Sequence, residues 1–323
     1  AAGTVIMPSL AANAHRLSAI SVFSRRKRSL TIRRRRYMHV IDLCERFFRE
    51  YGADVIRGFE DCVSAGLVGN GSECFGYDDE ISLDHEVAPV LEERLLSLPD
   101  RYMGLERAAR RTASGKRRGV FSCGEFYRSL IGYGTVPGTP AEWLKIPDYA
   151  LAAASNGRVF TDGATDFTYM RNMITNGITA DVRTKKLSRA VIMAAQYGKY
   201  NYSRCIRHGE IGASRLALDG FCQNIAFSVY YLNRKHPPFY KWLFRGMRQL
   251  ERGARIAEEL EKLLVTFDPT ECAGAVERIS AHLLRLLTDG GYTCGSERYL
   301  EPHAYRIAAK IRDRELSAMH IME

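Results

Sequence analysis

The run Val63 to Val68 is apolar or small throughout and passes directly into Gly69-Asn70-Gly71-Ser72. A short run of that kind, ended by a glycine turn, predicts a buried strand feeding a tight loop. Twelve residues beyond Ser72 stands Asp84, followed by His85 and Glu86. Alternate side chains of an extended strand share a face, so Asp84 and Glu86 point the same way and His85 points the other. Two carboxylates ~4 Å apart repel by roughly 4 kcal/mol at an effective dielectric of ~20, and the pair therefore needs a proton, a cation or bulk water. Magnesium suits it, because that ion takes few carboxylate oxygens and keeps other positions for water and phosphate. Gly71 and Ser72 complete the expectation, since backbone N–H groups and a hydroxyl can both donate to a phosphate oxygen. The competing reading is an acidic surface loop, with five acids among residues 77–86. That stretch lacks the Asp-x-Asp-x-Asp-Gly order of a calcium loop.

A Gly-Ser pair, a short spacer and Asp-x-Glu together resemble the signature of the nucleotidyltransferase superfamily that includes DNA polymerase beta and the aminoglycoside nucleotidyltransferases. The stretches 142–162, 197–210 and 230–245 are similar to an uncharacterised bacterial family with a nucleotidyltransferase-like first half and a helical second half. The resemblance runs over residues 40–260. It implies an α+β chain in which a small mixed-sheet domain precedes an all-helical domain. It further implies transfer of a nucleoside monophosphate from a nucleoside triphosphate to an acceptor hydroxyl with the help of two magnesium ions.

On that reading Asp84 and Glu86 are catalytic metal ligands. Asp162 is the third carboxylate, with Asp166 as its alternative. Asp162 could equally cap the segment that begins at Thr165. Gly71 and Ser72 bind nucleotide, while Arg204, Arg207 and Lys241 clamp phosphate or acceptor, arginine being suited to bidentate phosphate contacts. Each of the three bases is otherwise a solvated helix face, and His208, Glu210 and Asn233 are equally suited to pinning helices together. A competing class is a catalytically degenerate nucleotide- or partner-binding protein on the same fold. Pro89 lies only three residues beyond Glu86, and a helix-like 91–98 follows where relatives have a longer strand and loop.

The formal charge of +10 is unevenly placed, since residues 1–37 hold nine Lys or Arg and no acid, leaving +1 for the rest. Such a tail reads as a flexible basic arm, an Arg-rich targeting peptide, or sequence ahead of the true start. The last is preferred, because Met38 immediately precedes the first amphipathic run. Nucleic acid is accordingly expected only as a partner of the tail, and a protein that binds nucleic acid through it is a third class. No apolar run is long enough for a membrane helix, and the eight cysteines lack Cys-x-x-Cys spacing. A cytoplasmic protein without disulfides or zinc is expected.

The expected organisation is a tail (1–37), a nucleotidyltransferase-like domain (38–186) and a helical domain (187–323). Periodicity predicts a helix over 39–51 stopped by Gly52, with irregular chain over 99–150 that includes a basic loop at 111–119. Asn156-Gly157 predicts a tight turn before a strand at 158–162. Helices are expected at 187–197, 214–232 and 239–264, then after the Asp268-Pro269 start signal, and near 297–316, the last broken by Pro302.

Overall fold

The structure is a computed structural model that describes residues 4–6, 10–11, 39–77, 98, 101–102, 105–107 and 120–323. Asp84, Glu86, nearly all of 91–98 and the basic loop 111–119 lie outside the described residues. The strands are β1 (Thr4–Ile6), β2 (Leu10–Ala11), β3 (Val63–Leu67), β4 (Arg101–Tyr102), β5 (Leu105–Arg107), β6 (Val120–Ser122) and β7 (Arg158–Asp162). The helices are α1 (Val40–Phe47), α2 (Ala53–Ile56), α3 (Cys123–Ile131), α4 (Pro140–Lys145), α5 (Asp148–Ser155), α6 (Thr165–Asn172) and α7 (Ala180–Ala195). They continue with α8 (Ser203–Arg207), α9 (Ile211–Leu232), α10 (Tyr240–Met247), α11 (Ala254–Val265), α12 (Pro269–Asp289), α13 (Leu300–Ala308) and α14 (Arg314–Ala318).

The chain is α+β and divides into two compact units, Ala1–Leu130 with Ser155–Arg171, and Ile131–Ala154 with Asn172–Glu323. The division is interleaved, where the sequence suggested a single cut at 186. In the first unit a four-stranded sheet runs β6-β1-β3-β7, with β1 parallel to β3 and the other neighbours antiparallel. A second sheet runs β2-β5-β4. Strands β1 and β2 thus lie within the segment read from sequence as a flexible tail.

Every residue of β3 is buried. Val63 and Ala65 pack with Val55 and Ile56, and Leu67 packs with Val40 and Cys44, so this face of the strand looks toward α1 and α2. Ser64 and Gly66 share the opposite face. The first helix does not stop at Gly52: a π-helical turn, Phe48–Gly52, carries it into α2. Arg158 joins β7 to α1 by ion pairs to Asp42 at 2.8 Å and Glu45 at 2.5 Å.

The second unit is helical, and its core is centred on α9. Phe221, Ile225 and Val229 meet Val191 of α7, Leu260 of α11, Ile279 of α12 and Ile307 of α13 in one buried cluster. Asp268 caps α12 as its sequence predicts, accepting from the Glu271 N–H at 2.8 Å with Pro269 at the first helical position. Three expectations fail here for local reasons. Residues 140–145 and 148–155 are helical, and a reciprocal capping box of Thr139 and Glu142 lets Pro140 begin α4. The single helix expected over 239–264 is two, parted at 248–253, where the Asn233 side chain holds the Arg252 backbone through both its amide groups. The helix expected near 297–316 is also two, α13 and α14, yet Pro302 is not the break, since it falls in the first turn of α13, where its missing N–H costs nothing.

Candidate functional site

Strand β3 delivers the chain into Gly69 and Gly71, whose φ angles are 105° and 134°. Side chains other than hydrogen are strained there, so the glycines fix the course of the loop. Ser72 follows, 3 % exposed, and its carbonyl accepts from Phe75 N–H at 3.1 Å and Tyr77 N–H at 2.8 Å. Its hydroxyl is buried and has no hydrogen-bond partner among the described residues. A buried hydroxyl left unpaired costs on the order of 1–3 kcal/mol, so such a group points to a missing partner.

Asn156 fastens this turn. Its side-chain oxygen accepts from the Gly69 N–H at 2.8 Å and its NH₂ donates to the Gly69 carbonyl at 2.7 Å. The next residue, Gly157, has φ 72°, and a Cβ there would lie 2.0 Å from the Leu67 carbonyl oxygen. The Asn-Gly pair was legible as a turn before β7, but its grip on the Gly-Ser loop was not.

Asp162 stands at the other end of the same ladder. The register pairs Ser64 with Asp162 and Leu67 with Arg158, and three strand steps at ~3.3 Å put about 10 Å between those pairs. The Ser64 hydroxyl donates to Asp162 Oδ1 at 2.6 Å, and the Thr168 hydroxyl donates to Oδ2. The Ala164 N–H is taken by the Ser64 hydroxyl, so Ser64 meets the backbone at the start of α6. Asp162 and Asp166 both lie near Cys123, whose thiol is pushed up to about 11 first by burial and then by these carboxylates. Asp162 thus lies on β7 beside the start of β3, and the Gly71-Ser72 turn follows the end of β3. Among the described residues no group of three or more His, Cys, Asp or Glu could hold a metal ion.

In the second unit Arg204 and Arg207 do converge. They line one recess of about 300 Å³ together with Lys199 and Arg298. The π-helical turn Gln196–Tyr202 that follows α7 forms one wall, and irregular turns of this kind recur at functional sites. Lys241 is elsewhere, on α10 with its ammonium 4.9 Å from the Trp242 ring. His208 and Glu210 are exposed, and Asn233 is the helix pin of the three.

Sequence reasoning missed a buried polar centre in this unit. Asp148 accepts from Lys186 at 2.9 Å and from the Tyr231 hydroxyl at 2.7 Å, with His236 Nδ1 at 3.9 Å. The other nitrogen of His236 lies 2.9 Å from the Ile174 carbonyl. Burial alone would raise the Asp148 pKa, but Lys186, His236 and Tyr231 more than offset it and bring the carboxyl down to about 2. Tyr231 moves the other way, kept neutral by burial and by the Asp148 charge. The signal available in sequence was only that Asp148, Tyr231 and His236 fall in stretches resembling one family, while Lys186 falls in none of them.

Residues 143–243 match the family model of a domain of unknown function (DUF4037). No curated protein and no solved structure matches the chain. The matched stretch takes in Asp148, Asn156, Asp162, Arg204 and Arg207 and leaves out Gly71 and Ser72. Among the described residues no helix is long and apolar enough to cross a membrane.

Proposed function

We propose that the chain is a nucleotidyltransferase that moves a nucleoside monophosphate from a nucleoside triphosphate to an acceptor hydroxyl. The observation that carries this reading is the Ser72 hydroxyl, buried and unpartnered beside a turn of positive-φ glycines at the end of a buried strand. A triphosphate oxygen is the partner such a group fits. The loop's backbone N–H groups and Ser72 hold the triphosphate, and Asn156 keeps the loop in register with β7. Asp84 and Glu86 would hold magnesium, whose chemistry is to neutralise triphosphate charge and lower the pKa of the attacking hydroxyl. Asp162, oriented by Ser64 and Thr168, would take the acceptor's proton or hold its metal. Oxygen donors of this kind suit a hard cation.

The test is the thermal stability of the protein with each nucleoside triphosphate, with and without magnesium, beside Asp84→Asn. Ligand at a hundredfold over its dissociation constant stabilises by about 2.7 kcal/mol, a shift of several degrees. The expected result is a magnesium-dependent shift that Asp84→Asn abolishes. A mutant that keeps full transfer activity would sink the assignment.

A second reading draws on Asp162 itself. Both of its oxygens already accept hydroxyls. That favours a degenerate protein that binds nucleotide or a partner without turnover. On this reading nucleotide binds, Asp162→Asn leaves its affinity unchanged, and no pyrophosphate is released with any acceptor.

A further inference from the structure

The recess that holds Arg204 and Arg207 is built by residues of the second unit alone. Its walls are the π-helical turn and α8, one face of α12, and the N-terminus of α13. Lys199 is already neutralised by Glu277 at 2.6 Å. That leaves three guanidinium groups, Arg204, Arg207 and Arg298, facing a single further carboxylate, Glu301. None of the three arginines has a carboxylate partner among the described residues. Arg204 donates to the Tyr200 hydroxyl at 2.6 Å, and Arg207 to the Ser203 carbonyl at 3.3 Å.

Helix α13 adds to this field. Its N-cap is Tyr299, which supplies no side-chain hydrogen bond, so the positive end of the helix opens into the recess. Uncompensated guanidiniums around a concave surface repel one another, and a multiply charged anion with several acceptor oxygens relieves that repulsion.

The rim is aromatic as well as basic. Tyr200 and Tyr299, 53 % and 54 % exposed, line it with their rings accessible. Lys199 lies 3.9 Å over the Tyr299 ring and Arg204 lies 5.1 Å from that of Tyr200, so both rings are already presented with cations against them. A planar group can stack there while its charge meets the arginines. A volume of about 300 Å³ is at the small end of ligand pockets and suits one small molecule.

We propose that this recess binds a phosphate monoester carried on a planar ring. The proposal shares with the nucleotidyl-transfer reading only the assignment of Arg204 and Arg207 to phosphate. It requires neither metal nor Asp84.

The experiment is calorimetric titration of the full chain with phenyl phosphate in EDTA, which silences any magnesium-dependent site. Phenol and inorganic phosphate serve as the ring-only and anion-only probes. Phenyl phosphate should bind, and at least tenfold more tightly than either. The Arg207→Gln/Arg298→Gln protein should lose at least tenfold in affinity while melting at the wild-type temperature without ligand. Asp84→Asn and the charge control Lys262→Gln should bind as the wild type does.

Failure of the metal-nucleotide shift with retention of phenyl phosphate binding would remove the enzyme reading and leave this site standing. The proposal is overturned if phenyl phosphate does not bind, if the double variant binds it unchanged, or if inorganic phosphate binds as well. A single-stranded oligonucleotide that displaces phenyl phosphate with a steep salt dependence would replace the small-molecule class with nucleic acid.

Discussion

The two units hold their functional residues in different ways. In the helical unit one apolar cluster extends from Leu187 to Ile321, and the Asp148–Lys186 pair lines a recess beside it. Described apolar residues of the sheet unit form groups around Val63 and Ile56, around Leu43 and Phe47, around Leu67 and Val40, and where the rings of Phe126, Tyr127 and Phe167 meet. A large shared core makes one cooperative block, whereas small clusters allow local opening well below the global unfolding energy. The sheet unit accordingly relies on specific hydrogen bonds, such as those of Asn156 to Gly69, to hold the Gly-Ser loop.

The strongest challenge to this contrast is Lys186→Met. It strands the Asp148 carboxylate in a buried place, and losing one partner of such a pair costs about 3–5 kcal/mol. Urea unfolding followed by helical circular dichroism should show that loss as one transition. The Asp148→Leu/Lys186→Met double variant should recover most of it, because replacing both charges removes the unpaired one. Recovery that is no better than the single variant would mean that the pair is not the unit's electrostatic anchor.

A smaller effect is expected with acid. The Asp148 carboxyl titrates at about 2 in the folded chain against ~3.9 when unfolded. A depressed carboxyl stabilises above its unfolded pKa and ceases to do so as pH falls through its folded one. The contribution, roughly 2 kcal/mol, is therefore complete above pH ~4 and lost toward pH ~2. An acid titration of wild type beside Asp148→Asn should show the steeper decline in the wild type over that window.

The mildest change separates the units most cleanly. Asn156→Ala removes two hydrogen bonds from Gly69 and should cost about 1–3 kcal/mol. Amide hydrogen exchange should rise around Gly69 to Ser72 while α9 keeps its protection. Equal loosening in α9 would show that the sheet unit is not the more locally organised of the two.

What could be read from sequence follows the range of the forces involved. Strand β3 and the turn before β7 depend on near neighbours, and so does the start of α12, where Asp268 and Pro269 act within one helical turn. The α4 capping box was equally local but hidden by the prolines around it. The Asp148 centre joins residues as far apart as 148 and 231, and nothing in spacing announces such a meeting. The candidate site divides along the same line. Gly71 and Ser72 were singled out from adjacent residues and Arg204 and Arg207 from a family-like stretch, whereas Arg298 was not, because only the fold brings it to the recess they line.

The interleaved division of the chain changes what the matched stretch 143–243 stands for. It begins in the helical unit, crosses into the sheet unit at Ser155, and returns at Asn172. It also stops before α11 and α12, whose Leu260 and Ile279 complete the core around α9. That stretch is thus not a self-contained module. Cut out and expressed alone, it would carry one strand of a four-stranded sheet and an uncovered helix face, so borders drawn by family likeness would here cut through both units.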